Sequence, residues 1–164
     1  MRRAPTLTSL RLSIRVLLGA ALASLLVASP AGAVGQTKRV AKEADNATLG
    51  KTVLTTTKGR TLYSLSAENN GRFVCSGGCL SVWRPLLVSA SVQPTGPVKL
   101  GTIERPDGGT QVTFKGRPLY SFSGDTKAGD TNGEGIKDVG TWHAAVTGKP
   151  SPPPQAPPEP TYPY

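Results

Sequence analysis

Short runs of alternating apolar and polar residues, separated by glycine-containing turns, cover most of this chain between Thr48 and Thr147. In TQVTF, Val112 and Phe114 fall on one face of an extended strand. Lys115-Gly116 supplies a turn, and Tyr120 and Phe122 share a face of the returning strand. LGTIER precedes TQVTF across Pro106-Asp107-Gly108-Gly109, whose residues suit a tight reversal with positive backbone dihedrals in the glycines. A third strand therefore precedes that hairpin. Earlier in the chain TVLTTT and TLYSL flank Lys58-Gly59, and SVWRPLLV reads as a later extended piece that Pro85 places near a sheet edge. No segment beyond residue 33 shows sustained helical periodicity.

The two regions are copies. Pairing residue n with n+57 from Thr56 to Ser66 gives eight identities in eleven positions, so KGRTLYSLS returns as KGRPLYSFS. A tryptophan follows each tyrosine at nearly equal distance, Trp83 being 20 residues after Tyr63 and Trp142 being 22 after Tyr120. Leu49-Gly50 and Leu100-Gly101 mark the two starts, giving repeat 1 over about 49–88 and repeat 2 over about 100–147. A hairpin with one added strand cannot bury its apolar face alone, whereas two copies can pack those faces together. The expected fold is all-β: two tandem β-repeats forming one domain over 48–148, a small sandwich or partly open barrel. Tyr63, Leu65, Trp83, Tyr120, Phe122 and Trp142 are its expected core.

The ends differ in kind. Arginines precede an apolar run from Val16 to Ala28, then Ala31-Gly32-Ala33, which reads as a signal peptide over 1–33 cleaved after Ala33. The run is too short for the roughly 20 residues of a spanning helix, so no transmembrane anchor is expected in the mature chain. Residues 34–47 read as a polar linker, with a glycosylation sequon at Asn46-Ala47-Thr48. Residues 149–164 form a proline-rich tail expected to be disordered or extended. Four of the 19 basic residues lie in the signal, so the formal charge falls from +9 to +5 on cleavage. That balance suits encounter with polyanionic envelope polymers or anionic headgroups. The basic residues are scattered and carry no nucleic-acid-binding pattern, which excludes nucleic acid as partner.

Cys75 and Cys79 are the two cysteines. In an exported chain they read as a disulfide closing a short loop, with modest stabilisation. The alternative is a redox-active dithiol or a cofactor-binding oxidoreductase using the pair. Three intervening residues differ from C-x-x-C, and no helix is expected behind it to lower a thiol pKa. The segment from Gly124 to Gly140 holds Asp130, Asn132, Glu134 and Asp138 at positions 1, 3, 5 and 9 of a loop resembling an EF-hand start, with Thr141 at position 12 in place of the bidentate carboxylate. Asp125, Asp130, Asn132 and Glu134 are thus a candidate calcium site, the alternative being turn capping. Trp142 and His143 are a candidate ligand surface. No serine sits in a nucleophile elbow, so no catalytic residue is assigned.

PLYSFSGDTKAGDTNGEG followed by TWH, with CSGGCLSVWRPLL in the first copy, resembles the bacterial family called secreted repeat of unknown function, also described as predicted lipoproteins with a Y-x-[FWY]-x-x-D motif. Tyr120, Phe122 and Asp125 match that motif. The first copy keeps Tyr63 but has Leu65 and Glu68 in the other places, so only the second copy is expected to carry it complete. No cysteine near Ala33 could bear a lipid. The resemblance implies an extracytoplasmic location and a duplicated module with no established activity, and cell-wall association is expected of the exported chain. The resulting expectation is a non-catalytic secreted or envelope protein that binds or supports a wall component without a cofactor, with the redox and calcium readings as rivals.

Overall fold

The computed structural model describes residues 35–69 and 71–150. The signal peptide expected over 1–33 and the stretch expected as a tail from 151 onward lie outside the described residues. The chain enters through β1 (Gln36–Arg39) and β2 (Ala41–Asn46), and β2 pairs antiparallel with β3 (Lys51–Thr56), from Ala41 opposite Thr56 to Asn46 opposite Lys51. The linker expected over 34–47 is therefore corrected to strand. AKEADN escapes a periodicity reading because its residue types are mostly depleted in strands and do not alternate. Its partner strand holds it, helped by a 2.6 Å hydrogen bond from Thr52 Oγ1 to Asp45 Oδ1. The sequon residue Asn46 is buried, with its side chain donating to the Gly129 carbonyl at 2.8 Å and accepting from Leu49 N–H at 2.9 Å.

After the first KGR turn come β4 (Leu62–Leu65), a single helical turn α1 (Cys79–Val82), β5 (Trp83–Pro85), β6 (Leu87–Val88) and β7 (Val92–Thr95), the last running parallel to β1. The second copy supplies β8 (Leu100–Glu104), β9 (Thr110–Phe114), β10 (Arg117–Pro118), β11 (Tyr120–Phe122), β12 (Trp142–Ala144) and β13 (Val146–Pro150). The β8–β9 hairpin forms as expected, with Gly108 and Gly109 at φ 90° and 92° in its turn. Lys149 and Pro150, expected to open the tail, belong instead to β13.

The repeated KGR makes two different turns. Lys115 and Gly116 take φ 52° and 76° in a two-residue reversal with Phe114 opposite Arg117, the type I′ pattern. In the first copy Thr55 bridges Thr61, Thr56 N–H bonds the Arg60 carbonyl at 2.7 Å, and Gly59 has φ 84°, so the loop holds one residue more. The copies are therefore related by 57 after the turn and by 58 across β3 and β9, and the β2–β3 connection, one residue longer than its counterpart, makes the relation 59 across β2 and β8. Thr52 then corresponds to Thr110 and Asp45 to Glu104, and Thr110 Oγ1 bonds Glu104 Oε1 at 2.7 Å as its counterpart does. Repeat 1 thus starts near Ala41, the counterpart of Leu100. Leu49-Gly50 lies in the β2–β3 turn.

The repeats exchange strands. The central sheet runs β12-β4-β11-β5, with Tyr63 opposite Tyr120 at a pseudo-twofold axis. Each copy's tryptophan strand pairs with the other copy's tyrosine strand: Trp83 faces Phe122, and Trp142 faces Leu65. Pro85 does lie on the edge strand. The strands that follow continue the exchange, β6 joining β9 and β13 joining β3. No sheet closes into a barrel among the described residues, and the layers form a small sandwich.

Strand alternation divides the interior in two. Tyr63, Leu65, Trp83, Tyr120 and Trp142 build an aromatic cluster, with Phe122 packed against it, as expected. Leu62 and Leu119, one residue before each tyrosine, join Ala41, Leu54, Leu100 and Val112 in a second, aliphatic cluster that the aromatic pattern alone does not reveal.

Candidate functional site

The Y-x-[FWY]-x-x-D residues turn inward. The two tryptophans stack at the axis with ring centroids 3.8 Å apart and planes at 7°. Tyr63 meets Trp83 edge-on at 5.5 Å, Tyr120 meets Trp142 edge-on at 5.2 Å, and Phe122 lies 4.5 Å from Trp83. Asp125 is 1% exposed, and its Oδ2 accepts the Tyr63 hydroxyl at 2.8 Å while Oδ1 accepts Asn132 N–H at 3.0 Å. The acid of the second copy is therefore fastened to the tyrosine of the first.

Glu68 repeats this device from the other side. It stands at the position equivalent to Asp125, is fully buried, and its Oε1 accepts N–H of Val74 and of Cys75, each at 2.7 Å. Cys75 corresponds to Asn132 at the same offset of 57. Glu68 lies beside Tyr120 as Asp125 lies beside Tyr63, while Leu65 stands where the second copy has Phe122. Burial pushes both phenols well above the usual range, and the neighbouring Asp125 or Glu68 adds to it, so both tyrosines stay protonated. Burial also holds the Asp125 carboxyl above its ordinary range, against the opposing Tyr63 hydrogen bond.

Sequence reasoning missed Arg105. Its guanidinium is buried, donating to Gln111 Oε1 at 2.6 Å, Tyr120 Oη at 3.1 Å and the Cys75 carbonyl at 3.1 Å, with Asp107 held at 2.7 Å. The Asp107 hydrogen bond raises the Arg105 pKa, and Arg105 lowers that of Asp107. Arg105 and Asn46 occupy matching ends of β8 and β2, and each reaches into the other copy's acidic loop. The signal was present in the spacing of Glu68 and Asp125, but the corrected offset is needed to pair Asn46 with Arg105.

Cys75 and Cys79 form a disulfide with Cα atoms 5.3 Å apart. The loop is clamped from both sides, by Glu68 on the Cys75 N–H and by Arg105 on its carbonyl. A helical turn does begin at Cys79, contrary to expectation, because the bridge and the Cys79 N–H to Ser76 carbonyl bond at 3.1 Å wind the chain there.

The candidate calcium ligands face separate partners. Asp130 Oδ2 accepts Thr126 N–H at 2.8 Å and Lys127 N–H at 2.9 Å, contacts that lower its pKa, the Lys127 amide most. Asn132 donates to the Gly124 carbonyl at 3.1 Å. Glu134 accepts Ala144 N–H at 2.6 Å and meets His143 Nδ1 at 2.9 Å. Among the described residues no group of three or more His, Cys, Asp or Glu is arranged to hold a metal. These oxygens cap turns and tie the loop to β12. The ligand surface expected at Trp142 is corrected as well: alternation on β12 buries Trp142 completely and leaves only His143 exposed, beside a cavity of about 270 Å³ shared with Leu49, Lys51 and Glu134. Tyr120 is fully buried too.

Among the described residues no helix is long and apolar enough to cross a membrane. No curated protein and no solved structure matches the chain. Residues 101–146, spanning nearly all of the second copy from β8 through the start of β13, match the family described as secreted repeat of unknown function, the family its motifs resemble.

Proposed function

We propose that this protein is a non-catalytic extracytoplasmic module, an interlocked β scaffold whose exposed loops and edges bind or support a component of the cell envelope or wall. One observation carries the reading: the chemistry-bearing motif side chains, Tyr63, Tyr120, Glu68 and Asp125, are buried and hydrogen-bonded to other groups of the scaffold, so they serve the fold. The disulfide belongs to the same scaffold in this reading, since both backbone groups of Cys75 are held by buried partners. Retention of the full chain on isolated envelope polymers, measured against a non-binding control protein, tests the binding role. No retention above control on any fraction would count against it. Equilibration in redox buffers tests the scaffold role of the disulfide, which should resist the glutathione range.

A further inference from the structure

Pairing of Ala41 with Thr56 brings the residues just before Ala41 alongside those just after Thr56. The sequences there are Lys38-Arg39 and Lys58-Gly59-Arg60, so four cations converge from two segments. They line a groove of about 340 Å³ whose apolar wall includes Val40 and Leu87, the latter 48% exposed. No acid lines the groove, and among the described residues none of the four cationic side chains makes an ion pair or a hydrogen bond. Arg60 also lies in the field of buried Asp125.

The other copy lacks this character. Its groove, about 440 Å³ beside the second KGR turn, has only Lys99 and Lys115 as cations, and Lys115 Nζ sits 4.9 Å over the Phe114 ring. Thr56 stands where the second repeat has Phe114. Two diverged copies on one scaffold thus present an apolar groove and a cationic one.

We infer that the groove at Lys38, Arg39, Lys58 and Arg60 binds a segment of a linear phosphodiester polymer, resting on the binding-module reading above. Arginine forks match phosphate oxygens, and lysines add point charge. The apolar wall suits the carbon backbone between phosphates. A concave site favours a chain that enters it over a flat membrane surface that would meet only its rim.

The test is calorimetric titration of the full chain with a glycerol-phosphate polymer of defined length, with a polyuronate of equal charge and anionic phospholipid vesicles as parallel arms. The expected result is saturable binding to the phosphate polymer, weakened about tenfold in Arg39→Ala/Arg60→Ala and unchanged in Lys99→Ala/Lys115→Ala. Lys38→Ala/Lys58→Ala, at exposed positions, gives a second pair should the first variant lose its fold. Equal weakening by the groove pair and the control pair would mean that net charge alone acts, and would overturn the groove. Preference for polyuronate or vesicles would overturn the phosphodiester assignment. Absence of phosphate-polymer binding in a protein still retained on another envelope fraction would overturn this inference alone, and retention on nothing would remove the binding-module reading as well.

Discussion

Tyr63→Phe probes the interlock at one atom. The substitution keeps the ring against Trp83 and deletes only the hydroxyl that donates to Asp125 Oδ2 at 2.8 Å. A hydrogen bond to a charged acceptor contributes about 1.5–3 kcal/mol, and a buried carboxylate that loses a donor is costlier still. Protonation of Asp125 caps the loss, because burial already holds its pKa above the ordinary carboxylate range. We expect about 2 kcal/mol at neutral pH, or roughly 8 °C in Tm for a domain of this size. The pH dependence has a defined sign. A carboxyl whose folded pKa exceeds its unfolded value makes the folded chain bind its proton first, so its contribution to stability rises as pH falls through the folded pKa and levels off below the unfolded one. Removing the hydroxyl raises the folded pKa further, so the deficit of the variant is full at neutral pH and narrows in acid. Urea unfolding followed by tryptophan fluorescence reads this directly, since Trp83 and Trp142 stack at the axis. A cycle with Asp125→Asn should give a coupling of about 1 kcal/mol or more. Additive single variants, or a deficit that grows in acid, would refute the latch.

Three further outcomes follow from the same geometry. Gly133→Ala would place a Cβ 2.8 Å from the Trp83 ring and 3.0 Å from Tyr63, rigid groups that cannot move aside, so it should cost about 1–3 kcal/mol by denaturant titration. Reducing the Cys75–Cys79 bridge opens a loop of five residues and should lower stability by about 2 kcal/mol without unfolding the domain, as read by paired urea curves with and without reductant. Millimolar calcium should leave Tm unchanged, because Asp125, Asp130 and Glu134 are occupied by separate partners; a rise of several degrees would revive the calcium loop.

The strands with β-branched and aromatic residues could be read directly: TQVTF, LGTIER and the tyrosine strands alternate, and their turns carry the glycines that positive φ demands. Strand β2 could not, since AKEADN has no apolar rhythm and owes its conformation to β3. The two KGR turns show a second limit. Identical residues accept either a two- or a three-residue loop, and the choice is fixed by the register of the flanking pairs, which shifts the copy relation by one before the turn. For the candidate site, spacing alone linked Tyr120, Phe122 and Asp125 but did not reveal which way they point. Trp142 and His143 are neighbours in sequence and opposite in environment, a consequence of strand alternation that becomes decidable only once β12 is placed beside β4.

The strand exchange also explains why the motif is written twice. In residues 101–146 taken alone, β8, β9 and β10 pair among themselves, but β11 has lost both β4 and β5, β12 has lost β4, and β9 has lost β6. Trp142 would have no tryptophan to stack on and Asp125 no tyrosine to receive. The unit that the family describes is thus half of a fold in this protein, completed by the other copy in the same chain. Because each tyrosine, tryptophan and acid is held by the opposite repeat or its loop, these positions are constrained together. The turns and outer strands escape that constraint, and it is there that the copies have diverged, Thr56 against Phe114 and Lys38-Arg39 against Pro97-Val98.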